Sequence, residues 1–230
     1  MPTILALETS TELASVALYV DQRLLGRDAA PVQTHSQTLL PLVQSLLAEA
    51  GIALADCDAI AFGAGPGSFT GVRTACGAVQ GLAFGAGLPV VPVVTLEAMA
   101  QACHERTGAT DVLCLLDARM AEVYWAQYRH GPDGWQTVIA PALAKPADVA
   151  PQGAVVACGN GLSAYPEAFA AADFIARAEP GIMPHATQVA TLGAQRFLRG
   201  ETMDAASAQP LYLRNKVALT TAERMAGKAA

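Results

Sequence analysis

An α/β protein of two similar lobes is what the sequence predicts, on three observations. Short apolar runs of strand length alternate with longer stretches of helical periodicity along most of the chain. The order strand, strand, strand, helix, strand, helix occurs twice. The chain has 230 residues and is 53% hydrophobic with 15% charged, enough to bury a sizeable core and the opposite of a disordered composition.

The first lobe, residues 1–107, opens with the apolar strand ILALE (residues 4–8). SVALYV (15–20) and RLLGRDA (23–29) follow, separated by Asp21 and Gln22 as in a hairpin. Residues 36–50 carry helical periodicity and stop at Gly51, a C-cap. AIAFGA (59–64) is a strand that leads into a glycine-rich turn and a helix over residues 70–86. PVVPVV (89–94) is the next strand, and residues 96–106 the next helix.

In the second lobe, residues 108–200, VLCLLD (112–117), EVYWAQY (122–128) and WQTVIA (135–140) read as three consecutive strands. A short helix begins after Lys145 and Pro146. AVVACG (154–159) is a strand, residues 162–171 are helical, and a helix over 187–199 comes last. The repetition lies in element order rather than residue identity, and it is that of the duplicated actin-like ATPase and sugar-kinase superfold. Residues 201–230 form a C-terminal segment around PLYLRN whose last part, after about residue 220, has little reason to be ordered.

Composition narrows the function classes. No stretch approaches the roughly 18 uninterrupted apolar residues of a membrane helix. The N-terminus lacks a basic segment and soon meets Glu8 and Glu12, unlike a secretory signal, so a cytoplasmic protein is expected. Cys57, Cys76, Cys103, Cys114 and Cys158 are scattered and form no CxxC pair, which reads as buried free thiols in a reducing compartment. The net charge is −6 and the only lysines are Lys145, Lys216 and Lys228, which disfavours independent tight binding of RNA.

The turn GAGPGSFTGVR (63–73) lies between a strand and a helix. Gly63, Gly65, Gly67 and Gly71 permit tight backbone geometry, and Ser68 or Thr70 can cap the helix. A phosphate or carboxylate cradle and a tight turn with nothing bound are both consistent with it. It is not a Walker loop, because no lysine follows the glycines, nor a nucleophile elbow, because Pro66 replaces the first glycine of GxSxG.

As a whole string, GPGSFTGVR (65–73) resembles the signature of the TsaB family, also called YeaZ. LALETS (5–10) is similar to that family's N-terminal strand and turn. His35-Ser36 with LLPLV (39–43) is similar to its first helix, DARMAEVYW (117–125) to the hairpin opening its second lobe, and PLYLR (210–214) to its C-terminal signature. The resemblance spans nearly the whole chain in the expected order. It implies a non-catalytic subunit that works with a TsaD-like catalytic subunit and a TsaE-like ATPase. Together they transfer threonylcarbamoyl from threonylcarbamoyl-AMP to N6 of the tRNA adenosine next to the anticodon. ATP and a metal would belong to the partner subunits, and tRNA would be met only through the complex.

The residues agree with an absent reaction centre. The resemblance to the catalytic relative implies two metal-binding histidines four apart, but those positions hold Thr95 and Met99 here. His35, His104, His130 and His185 offer no other pair at that spacing. The second hairpin, Asp117-Ala118-Arg119-Met120, has no glycine, so its side chains crowd the place where phosphate needs bare backbone; Asp117 and Arg119 are expected to pair with each other or to brace the turn. Glu8, Ser10, Gly65, Gly67 and Ser68 remain as a weak nucleotide or anion pocket. A degenerate ATPase or kinase of the same fold is the alternative, and a metallopeptidase the remotest one.

Two helices carry the expected partner surface. On the first, Leu39, Val43, Leu46 and Ala50 form one stripe, which Leu40, Leu42 and Leu47 widen beyond what one core requires. On the second, Arg73, Gly77, Gly81 and Gly85 share one ridge. Each glycine costs about 1 kcal/mol in a helix interior, so three in register imply a close backbone neighbour, either the lobe's own sheet or a helix of a second subunit. The family resemblance implies packing against the equivalent helices of the TsaD-like subunit, or a homodimer in its absence.

Overall fold

The computed structural model describes residues 1–30 and 34–214. The expected tail beyond residue 220 lies outside the described residues. Two sheets form the framework. The first has five strands in the order β3-β2-β1-β4-β5, with β1 (Ile4–Glu8), β2 (Ser15–Val20), β3 (Arg23–Asp28), β4 (Ala59–Gly65) and β5 (Val90–Val94). β1 pairs antiparallel with β2 and parallel with β4, which pairs parallel with β5. Asp21 and Gln22, both left-handed, make the β2–β3 hairpin as expected.

β1 and β4 are buried on both faces, which is why they read as unbroken apolar runs. Alternation along them splits the core. Leu5, Leu7, Ile60 and Phe62 face α1 (His35–Ala50) and α2 (Phe69–Ala86). Ile4, Ala6, Ala59 and Ala61 face the opposite way, onto a helix from the far end of the chain.

The second sheet has four strands in the order β8-β7-β6-β9, with β6 (Asp111–Asp117), β7 (Val123–Gly131), β8 (Gly134–Ala144) and β9 (Val156–Cys158). One face is covered by α3 (Thr95–Thr107), whose Leu96, Met99 and Cys103 meet Cys114, Leu116 and Tyr128. The other packs Leu113, Leu115 and Trp125 against α4 (Gly161–Ala164) and α5 (Pro166–Phe169) through Leu162 and Phe169.

The division at residue 107 separates the two sheets but not their helices. α3 follows the first sheet in sequence yet covers the second. α6 (Ala186–Leu198) follows the second and packs on β1, β2 and β4 of the first. The cause is size matching. α6 offers Ala186, Ala190 and Gly193 to an alanine-rich face, and a Cβ on Gly193 would stand 2.6 Å from that of Ala61. Glu97 of α3 pairs with Arg196 of α6 and ties the exchanged helices together.

Two further differences have local causes. The helix expected over residues 162–171 is broken into α4 and α5, because Pro166 forces Tyr165 out of helical geometry (φ −133°, ψ 56°). Only a 3₁₀ turn, Pro146–Asp148, follows β8 where a short helix is expected. Among the described residues no helix is long and apolar enough to cross a membrane.

Candidate functional site

The glycine-rich turn packs backbone to backbone against the turn that follows β1. A Cβ on Gly67 would lie 2.4 Å from the Ser10 carbonyl oxygen, and one on Gly71 1.9 Å from that of Thr9. Ser68 N donates to Ser10 O (2.7 Å), and Thr9 Oγ1 donates to Gly71 O (2.7 Å). Ser68 caps α2, its Oγ accepting from Gly71 N. These two glycines are therefore accounted for by chain packing alone.

A cleft of about 510 Å³ opens between the sheets. Ser10, Gly67 and Ser68 line its first wall, Asp117, Ala118, Arg119 and Met120 its second, and Tyr212 and Arg214 close the end. Ser10, Gly67 and Ser68 thus stand where the sequence places them. Glu8 and Gly65 do not, and their assignment to the pocket is corrected. Glu8 is fully buried beneath the turn, with Oε2 against Gly63, where a Cβ would stand 1.8 Å away. Burial raises its pKa above 4.5, partly opposed by hydrogen bonds from Ser10. Gly65 is buried between Val72 and the Leu211 backbone with φ +100°, a conformation that favours glycine.

The second wall is unusual. Arg119, Met120 and Ala121 have φ of 61°, 57° and 58°, three consecutive non-glycine residues in the left-handed region. Each costs about 1–2 kcal/mol relative to an ordinary conformation. Asp117 braces the turn as expected: Oδ1 accepts from Arg119 N (2.8 Å) and the Tyr165 hydroxyl (2.8 Å), and Oδ2 pairs with Arg119 Nη1 (3.2 Å). Arg119 also crosses to Glu12 on the first wall (Nη2–Oε1 3.0 Å).

A metal–nucleotide, which the superfold implies, does not fit these residues. Asp117 already accepts from Tyr165 and Arg119, Glu8 is sealed behind Gly63, and the side chains of residues 118–120 occupy the wall where phosphates need free amides. Thr95 and Met99, at the positions of the expected histidines, serve the core: Thr95 Oγ1 accepts from Gly65 N (3.1 Å), and Met99 lies in the cluster under α3. Among the described residues no group of three or more His, Cys, Asp or Glu is arranged to hold a metal.

The histidines serve other ends. His35 approaches Glu12 O, His185 pairs with Asp28 (2.6 Å), and His104 stacks on His130 with ring centroids 4.3 Å apart, a contact that sequence spacing did not reveal. All five cysteines are buried and free; burial and the neighbouring Asp56 and Asp58 push Cys57 up to about 11, the reverse of an activated thiol.

α1 and α2 divide the expected partner surface. Leu39, Val43, Leu46 and Leu47 are buried in the first lobe's core, so their assignment to a partner interface is corrected: they face the sheet. Leu40 is exposed (46%). On α2 the ridge Arg73, Gly77, Gly81 and Gly85 is exposed, and a Cβ on any of the three glycines meets nothing within 4 Å. The lobe's own sheet is therefore not their neighbour. Phe84 projects beside the ridge, 83% exposed, and Arg73 lies 3.4 Å over the Phe69 ring.

Sequence reasoning left open whether residues 210–214 brace the lobes. Within the described residues they do. Leu211 N donates to Ala64 O (2.7 Å) in the first lobe, and Arg214 donates to Glu122 Oε2 (2.6 Å) and Ala118 O (3.1 Å) in the second. Only the PLYLR string hinted at this, since the contacts join residues more than ninety positions apart.

Comparison with known proteins agrees with this architecture. The family model described as TsaD, tRNA N6-adenosine threonylcarbamoyltransferase, matches residues 30–222. The tRNA threonylcarbamoyladenosine biosynthesis protein TsaB of Escherichia coli K12 is 41% identical over 94% of this chain and 96% of its own length. Its namesake in Haemophilus influenzae is 37% identical over 94% of each. The solved structure of YeaZ from Pseudomonas aeruginosa superposes with a TM-score of 0.86 at 42% identity, covering 93% of this chain and all of that one. With full-length relatives of one name, a matching two-lobed structure and the signature turn in place, the chain belongs to the TsaB family of tRNA threonylcarbamoyladenosine biosynthesis proteins.

Proposed function

We propose that this chain is a non-catalytic scaffold subunit that docks a TsaD-like catalytic subunit through α2. The TsaD-like subunit holds the metal and active site, and the pair recruits a TsaE-like ATPase. The assembly transfers threonylcarbamoyl from threonylcarbamoyl-AMP to N6 of the tRNA adenosine next to the anticodon, and tRNA reaches this acidic subunit only through the complex.

The observation that carries this reading is the exposed ridge of Gly77, Gly81 and Gly85, which no part of the described chain covers. Glycines there weaken the helix, and a second helix laid close along the ridge would offset that cost. Exposed Phe84 and Phe69 on the same helix supply apolar area around it. A second copy of the chain offers the same ridge, so a homodimer forms where the partner is absent.

A degenerate nucleotide-binding enzyme is the second reading, favoured by the cleft with Ser10 and Ser68 on one wall. The test is co-expression with the TsaD-like protein followed by size-exclusion chromatography, with ATP turnover measured on the pure chain. Co-elution without turnover supports the scaffold. Turnover abolished by Asp117→Ala, with no co-elution, supports the enzyme.

A further inference from the structure

The left-handed turn of Arg119, Met120 and Ala121 persists because its surroundings hold it, and one holder comes from the far end of the described chain. Arg214 Nη2 donates to Ala118 O (3.1 Å), Arg119 O (3.4 Å) and Glu122 Oε2 (2.6 Å), and Nη1 rests on the Met120 sulfur. Two residues before it, the Tyr212 hydroxyl accepts from Arg73 Nε (2.7 Å), and the Tyr212 ring lies 5.1 Å from the same guanidinium. Arg73 stands at the start of the exposed glycine ridge. A short strap therefore has one grip on the α2 face and the other on the strained wall of the cleft. One residue before the first grip, the Leu211 amide is fixed on Ala64 O (2.7 Å).

We propose that residues 210–214 couple occupation of the α2 face to the state of the interlobe cleft. A partner helix laid along the ridge passes over Arg73 and takes its guanidinium, so Tyr212 loses its hydrogen bond. Arg214 then leaves the turn, residues 119–121 relax to ordinary backbone, and Arg119 releases Glu12 at the cleft mouth. The turn is the two-state element, and both sites bias it. By linkage, whatever opens the turn changes the partner's affinity by the same factor. The inference rests on α2 being the docking face.

Amide hydrogen exchange tests it. In the isolated chain, diluted until it is monomeric by size-exclusion chromatography so that no second copy covers α2, Ala118 N donates to Glu122 O (3.0 Å) and Glu122 N to Arg119 O (3.1 Å), so their exchange reports the turn. Arg73 donates to the Tyr212 hydroxyl and its guanidinium lies over the Tyr212 and Phe69 rings, so it does not touch the turn. Arg73→Ala is expected to speed exchange at both amides about threefold to tenfold, the loss of one hydrogen bond, and Arg214→Ala at least as much. Adding the TsaD-like protein to the unaltered chain is expected to speed the same amides. If Arg214→Ala accelerates them while Arg73→Ala leaves them at the unaltered rate, the coupling is wrong. If a bound partner leaves them unchanged or slower, it is also wrong. A partner that does not bind overturns the docking face instead, and the isolated-chain arm still decides whether the strap transmits.

Discussion

Arg214 meets Glu122 at 2.6 Å across 92 residues of sequence, and the two side chains are only 14% and 33% exposed. That pair closes the second lobe's hairpin onto the end of the described chain. Both side chains are largely shielded from solvent, so its removal costs more than loss of an exposed ion pair would.

Arg214→Ala is expected to destabilise the protein by about 2 kcal/mol, since several charge-assisted hydrogen bonds are lost together. Arg214→Lys keeps the charge but not the planar fork and recovers only part of that. Urea unfolding followed by circular dichroism measures both. Equal stability of all three proteins would mean that the turn needs no clamp.

Ala121→Gly is expected to stabilise the fold by roughly 1 kcal/mol. Glycine adopts φ near 58° without penalty, which outweighs the added freedom of the unfolded chain. Thermal unfolding at a fixed scan rate checks the sign; a lower midpoint contradicts the strain assigned to this turn.

Val43 is 2% exposed, in the core beneath α1. Val43→Asp buries an unpaired charge and is expected to cost more than about 3 kcal/mol, abolishing the folded circular dichroism spectrum at moderate temperature. Leu40→Asp, on the outer face of the same helix, is expected to change stability by only about 0.5 kcal/mol. A folded Val43→Asp protein would return that residue to the surface.

Glu8 gives the pH dependence. Its carboxyl pKa is raised in the folded protein above the ordinary 4.5, chiefly by burial. Folding therefore favours its protonated form. The stability it contributes is whole below the unfolded pKa and is lost as pH rises through the folded one. Glu8→Gln does not titrate, so its stability relative to the unaltered chain is expected to grow as pH rises from about 4 toward 8. Urea unfolding of both proteins at several pH values checks this; a gap that ignores pH, or narrows on raising it, contradicts the buried charge.

Most of the framework was legible because it follows from local chemistry. ILALE and AIAFGA are doubly buried central strands, Asp21-Gln22 makes the hairpin, and Gly51 caps α1 in the left-handed conformation. The exchange of α3 and α6 was not legible, because it depends on how an alanine-rich face fits a small-residue helix across the chain. The α1 stripe misled for a related reason. A width of apolar surface does not say how much of it the core covers, and here the core takes Leu39, Val43, Leu46 and Leu47, half-covers Leu42 and Ala50, and leaves Leu40 exposed. In the cleft, the wall residues Ser10, Gly67 and Ser68 were visible as a motif, whereas Arg214 and the left-handed turn rest on long-range contacts that spacing does not encode.

The central claim is that the open α2 ridge is a docking surface, and Gly81→Leu tests it most directly. Open space around Gly81 means that leucine meets no internal clash, and its better helix propensity is expected to raise stability by somewhat under 1 kcal/mol. The measurement is the dissociation constant for the TsaD-like protein, taken with the melting temperature of the same sample. A melting temperature unchanged or higher, with binding at least tenfold weaker, is the result this account predicts. Unchanged binding by a folded Gly81→Leu protein would contradict it.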